Sequence, residues 1–358
     1  MKRVHGLMRR AVAGGVFPGG ALLASRGSTI HFFETCGVAS LRTRTPVTRD
    51  TVFDLASLTK PLATTPAVMA LIASGRVDLA DRLGDLLPPF HGSDKSGITV
   101  RQLLSHRSGL PAYRPYFIPL SNLEPRRRQS VLREFLLREP LIGRPGDNRL
   151  YSDIGFMVLQ WVVESISGQS LDGFAKETVY DPMGAQGLFF PGPARETTSL
   201  SFAATERCGL RRRIVQGEVH DENAHVLGGV AGHAGLFGTA GAVRQFLVNL
   251  TNVYKGRTKA AGGLRQETVA RFFNGRGGEG PLGFDAPSPR GSSAGRFFGP
   301  RSIGHLGFTG TSFGEDLDRA AIVILLTNRV HPSRKNLKIK TFRPLVHDEI
   351  MKTLAEES

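Results

Sequence analysis

The chain has 358 residues, 40% hydrophobic and 22% charged, with 46 Lys and Arg against 31 Asp and Glu for a formal charge of +15. That length carries one large mixed domain or two, and the composition excludes a mostly disordered, collagenous or coiled-coil protein. No apolar run reaches the roughly 18 residues that span a bilayer, and two cysteines, Cys36 and Cys208, make neither a disulfide framework nor a four-ligand zinc site.

The elements follow in chain order. Residues 4–13 have helical spacing (Val4, Leu7, Met8, Ala11, Val12) and stop at Gly14-Gly15. Apolar runs at 21–24 and 30–33 flank Ser25-Arg26-Gly27-Ser28 and read as a β-hairpin. Residues 62–74 and 153–167 have helical character, and 99–104 starts a further helix that breaks at Ser108-Gly109-Leu110-Pro111. Residues 275–299 are rich in Gly and Pro and read as loop. Residues 304–313 and 320–328 read as strands, and a last helix at 342–355 carries Leu345, Ile350 and Leu354 on an apolar stripe. Both ends of the chain are thus a helix plus antiparallel strands that share one sheet. The expected fold class is α/β, of α+β type: an antiparallel sheet flanked by N- and C-terminal helices, with a mostly helical insertion. The expected division is 1–60 with 230–358 for the sheet part and 61–229 for the helical part, with the active site in the cleft between.

The positive charge fits an anionic substrate, a nucleic acid or a basic proteome. Its densest clusters, Arg126-Arg127-Arg128 and Arg211-Arg212-Arg213, lack interleaved aromatics and read as solvated faces, so no nucleic-acid partner is assigned. Met1-Lys2-Arg3 opens like a signal peptide, but His5, Arg9 and Arg10 interrupt any apolar run, which makes a cytoplasmic location the expectation.

Three short motifs carry chemistry. Ser57-Leu58-Thr59-Lys60 at a helix start puts a hydroxyl and an amine on one face, a turn apart. Such a lysine takes the serine proton when its surroundings keep it partly neutral, and the helix terminus adds N–H groups near a reacting carbonyl. Tyr151-Ser152-Asp153 follows a turn and opens a helix; a tyrosine there can relay a proton. Gly304-His305-Leu306-Gly307-Phe308-Thr309-Gly310 sets a His among small residues on a strand, where a backbone can approach a ligand closely. Each alone also fits a bland reading: a capping Ser with a surface Lys, a packed Tyr, an incidental His.

Together, with Tyr151 and His305 standing 94 and 248 residues after Ser57, they resemble the penicillin-binding-protein and class C β-lactamase-like serine hydrolases. Those carry Ser-x-x-Lys, Tyr-x-Asn and Lys/His-x-Gly in this order. The phrase Leu103-Leu104-Ser105-His106-Arg107-Ser108-Gly109-Leu110-Pro111 also looks like that family's loop after the first helices. The resemblance implies Ser57 as nucleophile, Lys60 as acceptor of its proton and Tyr151 as the relay to the leaving group. His305 would stand in for the third-motif cation, Gly307 would adjoin the substrate, and the N–H groups of Ser57 and Phe308 would form the oxyanion hole. Asp153 stands where the family has Asn: it cannot donate to a substrate amide, but it can pair with Lys60 and hold it charged. His305 in place of Lys loses a permanent cation near neutral pH. Both departures point away from a true β-lactamase and toward an esterase, amidase or D-peptidase.

The segment His220-Asp221-Glu222-Asn223-Ala224-His225 and the later His233 fit no standard metal spacing, so no metal and no cofactor is assigned. The segment resembles a subset of the family linked to cell-wall recycling, which implies that His220, Asp221 and His233 line or brace the cleft and that the small-molecule substrate is a muropeptide. Two rivals stay open: a non-hydrolysing penicillin or cell-wall-fragment binder, and a Gly-x-Ser-x-Gly hydrolase using Ser312.

Overall fold

The computed structural model describes residues 1–192, 199–258, 263–275 and 280–356. Helix α1 (Lys2–Ala13) leads into β1 (Gly19–Arg26) and β2 (Thr29–Gly37), the expected hairpin. Two short ladders follow: β3 (Phe53–Asp54) pairs with β6 (Phe237–Gly238), and β4 (Arg207–Cys208) with β5 (Arg213–Ile214). The chain closes with β7 (Ser302–Leu306), β8 (Ser312–Asp316) and β9 (Ala321–Thr327). The main sheet has five strands in the order β2-β1-β9-β8-β7, antiparallel throughout.

Strands β1 and β9 are apolar without alternation because helices cover both faces of the sheet there. Leu22, Ala24, Val323 and Leu325 turn toward Val4 and Met8 of α1 and toward Val346 and Ile350 of the last helix. Ala21, Leu23, Ile324 and Leu326 turn the other way, into the main core with Val243, Phe246 and Leu250. Fully burying one such side chain is worth about 1.5–3 kcal/mol. The two chain ends therefore lie on one sheet, as the sequence pattern suggests.

The structure corrects three readings. The apolar run 304–313 is not one strand; it is β7, a tight turn and β8. The last helix spans Ile339–Glu356, and Leu345 is on its exposed side; Phe342, Val346 and Ile350 are its buried stripe. The Arg211 side chain is buried, giving hydrogen bonds to the carbonyls of Val219 (2.7 Å) and His220 (3.1 Å) rather than facing water. Within the Gly- and Pro-rich stretch, residues 276–279 lie outside the described residues. Beyond them Asp285 exchanges two backbone bonds with Gly304 and so covers the outer edge of β7. Both cysteines are free thiols. Among the described residues, no helix is long and apolar enough to cross a membrane.

Two helices of the middle segment position the site. Helix α2 (Thr65–Ala73) is buried on every side and is entered through a π-turn, Lys60–Thr64, whose Leu62 carbonyl accepts the Tyr180 hydroxyl at 2.9 Å. Helix α3 (Asp153–Ser167) starts at Ser152, whose hydroxyl accepts the Gly155 N–H, and ends at Gly168 in the left-handed region.

The turn after β7 docks on the segment that carries Ser57. Thr309 and Thr311 donate their hydroxyls to the carbonyls of Asp54 (2.7 Å) and Leu55 (3.0 Å). Gly307 permits this approach: a Cβ there would meet Thr311 Oγ1 at 1.9 Å and the Leu55 carbonyl at 2.6 Å. Gly307→Ala is therefore expected to cost at least about 2 kcal/mol, read as a lower urea midpoint. Gly97→Ala, on an exposed loop with nothing within 4 Å of the new Cβ, should stay within about 0.5 kcal/mol.

Candidate active site

Ser57 sits in a single 3-10 turn between β3 and the π-turn. The residue before it, Ala56, has φ +49°, a left-handed value that costs a non-glycine residue about 1–2 kcal/mol. Two contacts hold it there: the Ala56 N–H donates to Asp54 Oδ1 at 2.8 Å, and the Thr59 hydroxyl donates to the Ala56 carbonyl at 2.6 Å. Asp54 Oδ2 also accepts the His220 N–H at 2.7 Å. Burial raises the Asp54 carboxyl above its ordinary range, against the pull of those bonds.

Lys60 is completely buried, and its Nζ donates to three acceptors: Asp153 Oδ1 at 2.7 Å, Ser57 Oγ at 3.1 Å and the His233 carbonyl at 3.1 Å. An ammonium has three N–H bonds, so all are satisfied. Burial alone would lower the Lys60 pKa; the Asp153 carboxylate outweighs it and holds the value above that of a free lysine.

Tyr151 closes the other side. Its ring lies 4.9 Å from Lys60 Nζ. Burial raises its pKa, with the Lys60 cation opposing and Asp153 adding to the rise. His305 packs against Tyr151 with ring centres 5.9 Å apart. Its Nδ1 lies 2.9 Å from the Leu306 carbonyl, and its Nε2 is 3.9 Å from Asp285, which is in turn paired with Arg149 at 2.7 Å. Burial holds His305 below the ordinary histidine value despite Asp285, so it is neutral at neutral pH.

Ser57, Tyr151, His305, Gly307 and Phe308 line one cleft of about 550 Å³. Phe308 is half exposed and sits among His220, stacked at 5.7 Å, and Arg329, 4.8 Å from the ring centre. His220 and His233 are buried and are not among the residues that line the cleft. His220 Nε2 meets Glu206 at 3.0 Å, and His233 Nε2 meets Asp221 at 3.0 Å; that pairing, against the burial cost, holds Asp221 well below the carboxylate range. Ser312 is fully buried on β8 and accepts a bond from Arg343 Nε at 3.0 Å, so the Gly-x-Ser-x-Gly reading is overturned: there is no strand-turn-helix elbow and no access.

Sequence reasoning missed Asp285, Arg149 and Arg343, which reach the site only through tertiary contacts, and Asp54, which holds the Ser57 turn by a local bond to Ala56. It also gave no role to His106, although it singled out the phrase containing it.

A family profile described as Beta-lactamase matches residues 4–346. The chain belongs to the beta-lactamase family and is a serine hydrolase that works through an acyl-enzyme on an ester or amide bond. It is 31% identical over 364 residues to the N-acetylmuramyl-L-alanine amidase of Bacillus subtilis (strain 168), covering 92% of this chain and 81% of that protein. It is 30% identical over 320 residues to a putative D-alanyl-D-alanine carboxypeptidase of Salmonella agona (strain SL483), covering 82% of this chain and 72% of the other. Among solved structures it is similar to EstCE1, a hydrolase with promiscuous acyltransferase activity. The TM-score is 0.71 at 25% identity, over 96% of this chain and 98% of that one.

Asp153 raises the pKa of both Lys60 and Tyr151. Asp153→Asn lets that pair lose a proton at lower pH. The ascending limb of kcat/KM against pH for an activated ester should shift to lower pH in the variant; an unmoved or upward-shifted limb would contradict the ion pair's control of the site.

Proposed function

We propose that this chain cleaves a carboxylate-bearing ester or amide, with a peptidoglycan-derived fragment as its natural substrate class. The cleft falls between residues 1–60 with 230–358, which bring Ser57 and Phe308, and residues 61–229, which bring Tyr151 and Asp153. The active form is the one in which the coupled Lys60–Tyr151 pair has lost one proton. That pair takes the Ser57 proton as Oγ bonds to the substrate carbonyl carbon, and the carbonyl electrons move onto oxygen. The N–H groups of Ser57 and Phe308 donate to that oxyanion, for which they need to lie about 3 Å away. Tyr151 passes the proton to the leaving oxygen or nitrogen as its bond to carbon breaks. Water then attacks the acyl carbon and gives a proton to the same pair; the carbon–Oγ bond breaks, that proton passes to Ser57 Oγ, and the acid leaves.

The observation that carries the reading is Lys60 Nζ bonded to Ser57 Oγ at 3.1 Å and 4.9 Å from the Tyr151 ring, with Ser57 and Tyr151 opening on the cleft. The substrate's charge rests on Arg343 in the same cleft. It is 5% exposed, no acidic side chain pairs with it among the described residues, and burial together with Arg329 pushes its guanidinium down to about 10. A buried cation without a counter-ion is costly, and a substrate carboxylate supplies one. The names of the amidase and carboxypeptidase relatives support the cell-wall class.

The test pairs an acid substrate with its neutral methyl ester, using an aryl ester that bears the carboxylate first on the acyl side and then on the leaving group. The acid form should be preferred at least about tenfold on one side, and Arg343→Gln should remove most of that preference. Muramyl-L-alanyl peptides should be cleaved by the wild type and not by Ser57→Ala. Equal rates on every acid and neutral pair would overturn the anionic substrate.

A further inference from the structure

We infer that His106 is the positioning residue for Tyr151; the inference rests on the reading of Tyr151 as proton relay. His106 grips the tyrosine from three sides. Its carbonyl accepts the Leu150 N–H at 2.8 Å, its Nδ1 accepts the Ser152 N–H at 3.0 Å, and its ring packs on the Tyr151 ring with centres 4.6 Å apart. One residue thus holds the N–H of the residue before the tyrosine, the N–H of the residue after it and its ring face.

The backbone at His106 is a second, independent observation. The helix Val100–Leu104 ends in a Schellman motif: the His106 N–H bonds to the Leu103 carbonyl (3.1 Å) and the Arg107 N–H to the Gln102 carbonyl (2.7 Å). His106 occupies the left-handed position of that motif, with φ +58°. Glycine is the usual residue there, since a side chain raises the cost. The chain carries a buried histidine instead, 5% exposed. Strain kept at a site calls for a function that the side chain supplies, and here the side chain supplies the acceptor for Ser152 and the ring face for Tyr151.

The acceptor role needs a neutral ring. Burial first, then the Lys60 cation, the neighbouring His305 and the Arg149 cation, hold His106 well below the ordinary histidine value; Asp285 opposes them. With Nδ1 as acceptor, the ring proton is assigned to Nε2.

The test is a double-mutant cycle between His106 and Tyr151, read as kcat and KM for an activated ester. His106→Asn tolerates φ above zero and places an amide oxygen close to the Nδ1 position, so it should keep kcat within about tenfold. His106→Ala should lower kcat about 100-fold with KM within about threefold, the loss due to a misplaced proton-transfer group. Adding Tyr151→Phe to His106→Ala should cost nothing further. Should the Ala variant show no cooperative thermal transition, the Asn variant carries the cycle, with a proportionally smaller coupled loss. Additive losses, or equal losses for Asn and Ala, would overturn the positioning role. A Tyr151→Phe enzyme with unchanged kcat would instead remove the relay itself, and the inference with it.

Discussion

The site is organised around one demand: a buried ammonium must find three acceptors. Lys60 is out of water altogether, and each of its N–H bonds ends on a different part of the chain. Ser57 comes from its own turn, Asp153 from the start of α3 and the His233 carbonyl from the glycine-rich loop. Removing any one would leave a buried donor unpaired at a cost of about 1–3 kcal/mol, more for a charged group. Satisfying the cation therefore fixes Ser57, the helix that follows Tyr151 and the loop from Gly228 to Phe237 relative to one another. Close packing enforces the same register: a Cβ at Gly232 would lie 2.1 Å from the Phe156 carbonyl on α3.

The same pair sets the chemistry. A lysine opposite Asn carries an uncompensated charge that draws protons off its neighbours. Opposite Asp153 the charge is compensated, so Lys60 keeps its proton and Tyr151 gains less help in losing its own. What Lys60 gives Ser57 at rest is a hydrogen bond to its Oγ; under the proposed mechanism that bond stabilises the charge that develops there. The sequence suggested that Asp153 can hold Lys60 charged; the 2.7 Å contact between them is that arrangement. His305 is neutral, so the cleft's positive charge comes from elsewhere: Arg343, Arg329 and Lys340 line it.

The legible parts of this molecule are those with a local signature. Ser57 and Lys60 are one turn apart, Tyr151 sits just before a helix cap, and α1, the hairpin and α3 declare themselves by spacing and punctuation. The hidden parts are set by contacts far apart in sequence. Arg149 and Asp285 meet across 136 residues, and Arg343 meets Ser312 across 31. Arg211 looked solvated within a basic triplet because nothing local announces that the Val219 and His220 carbonyls await it. The turn between β7 and β8 was missed for a related reason: Thr309 and Thr311 read as strand residues, yet their hydroxyls are spent on the Asp54 and Leu55 carbonyls. His106 left a trace, a histidine just past a helix end where glycine is favoured, but its meaning depends on knowing what lies beside it.

The most direct measurement is the intact mass of the protein after treatment with a fluorophosphonate probe, for the wild type and for Ser57→Ala. The expected result is a single covalent adduct on the wild type and none on the variant. An adduct of equal yield on Ser57→Ala, or none on either protein, would contradict the assignment of Ser57 as the nucleophile.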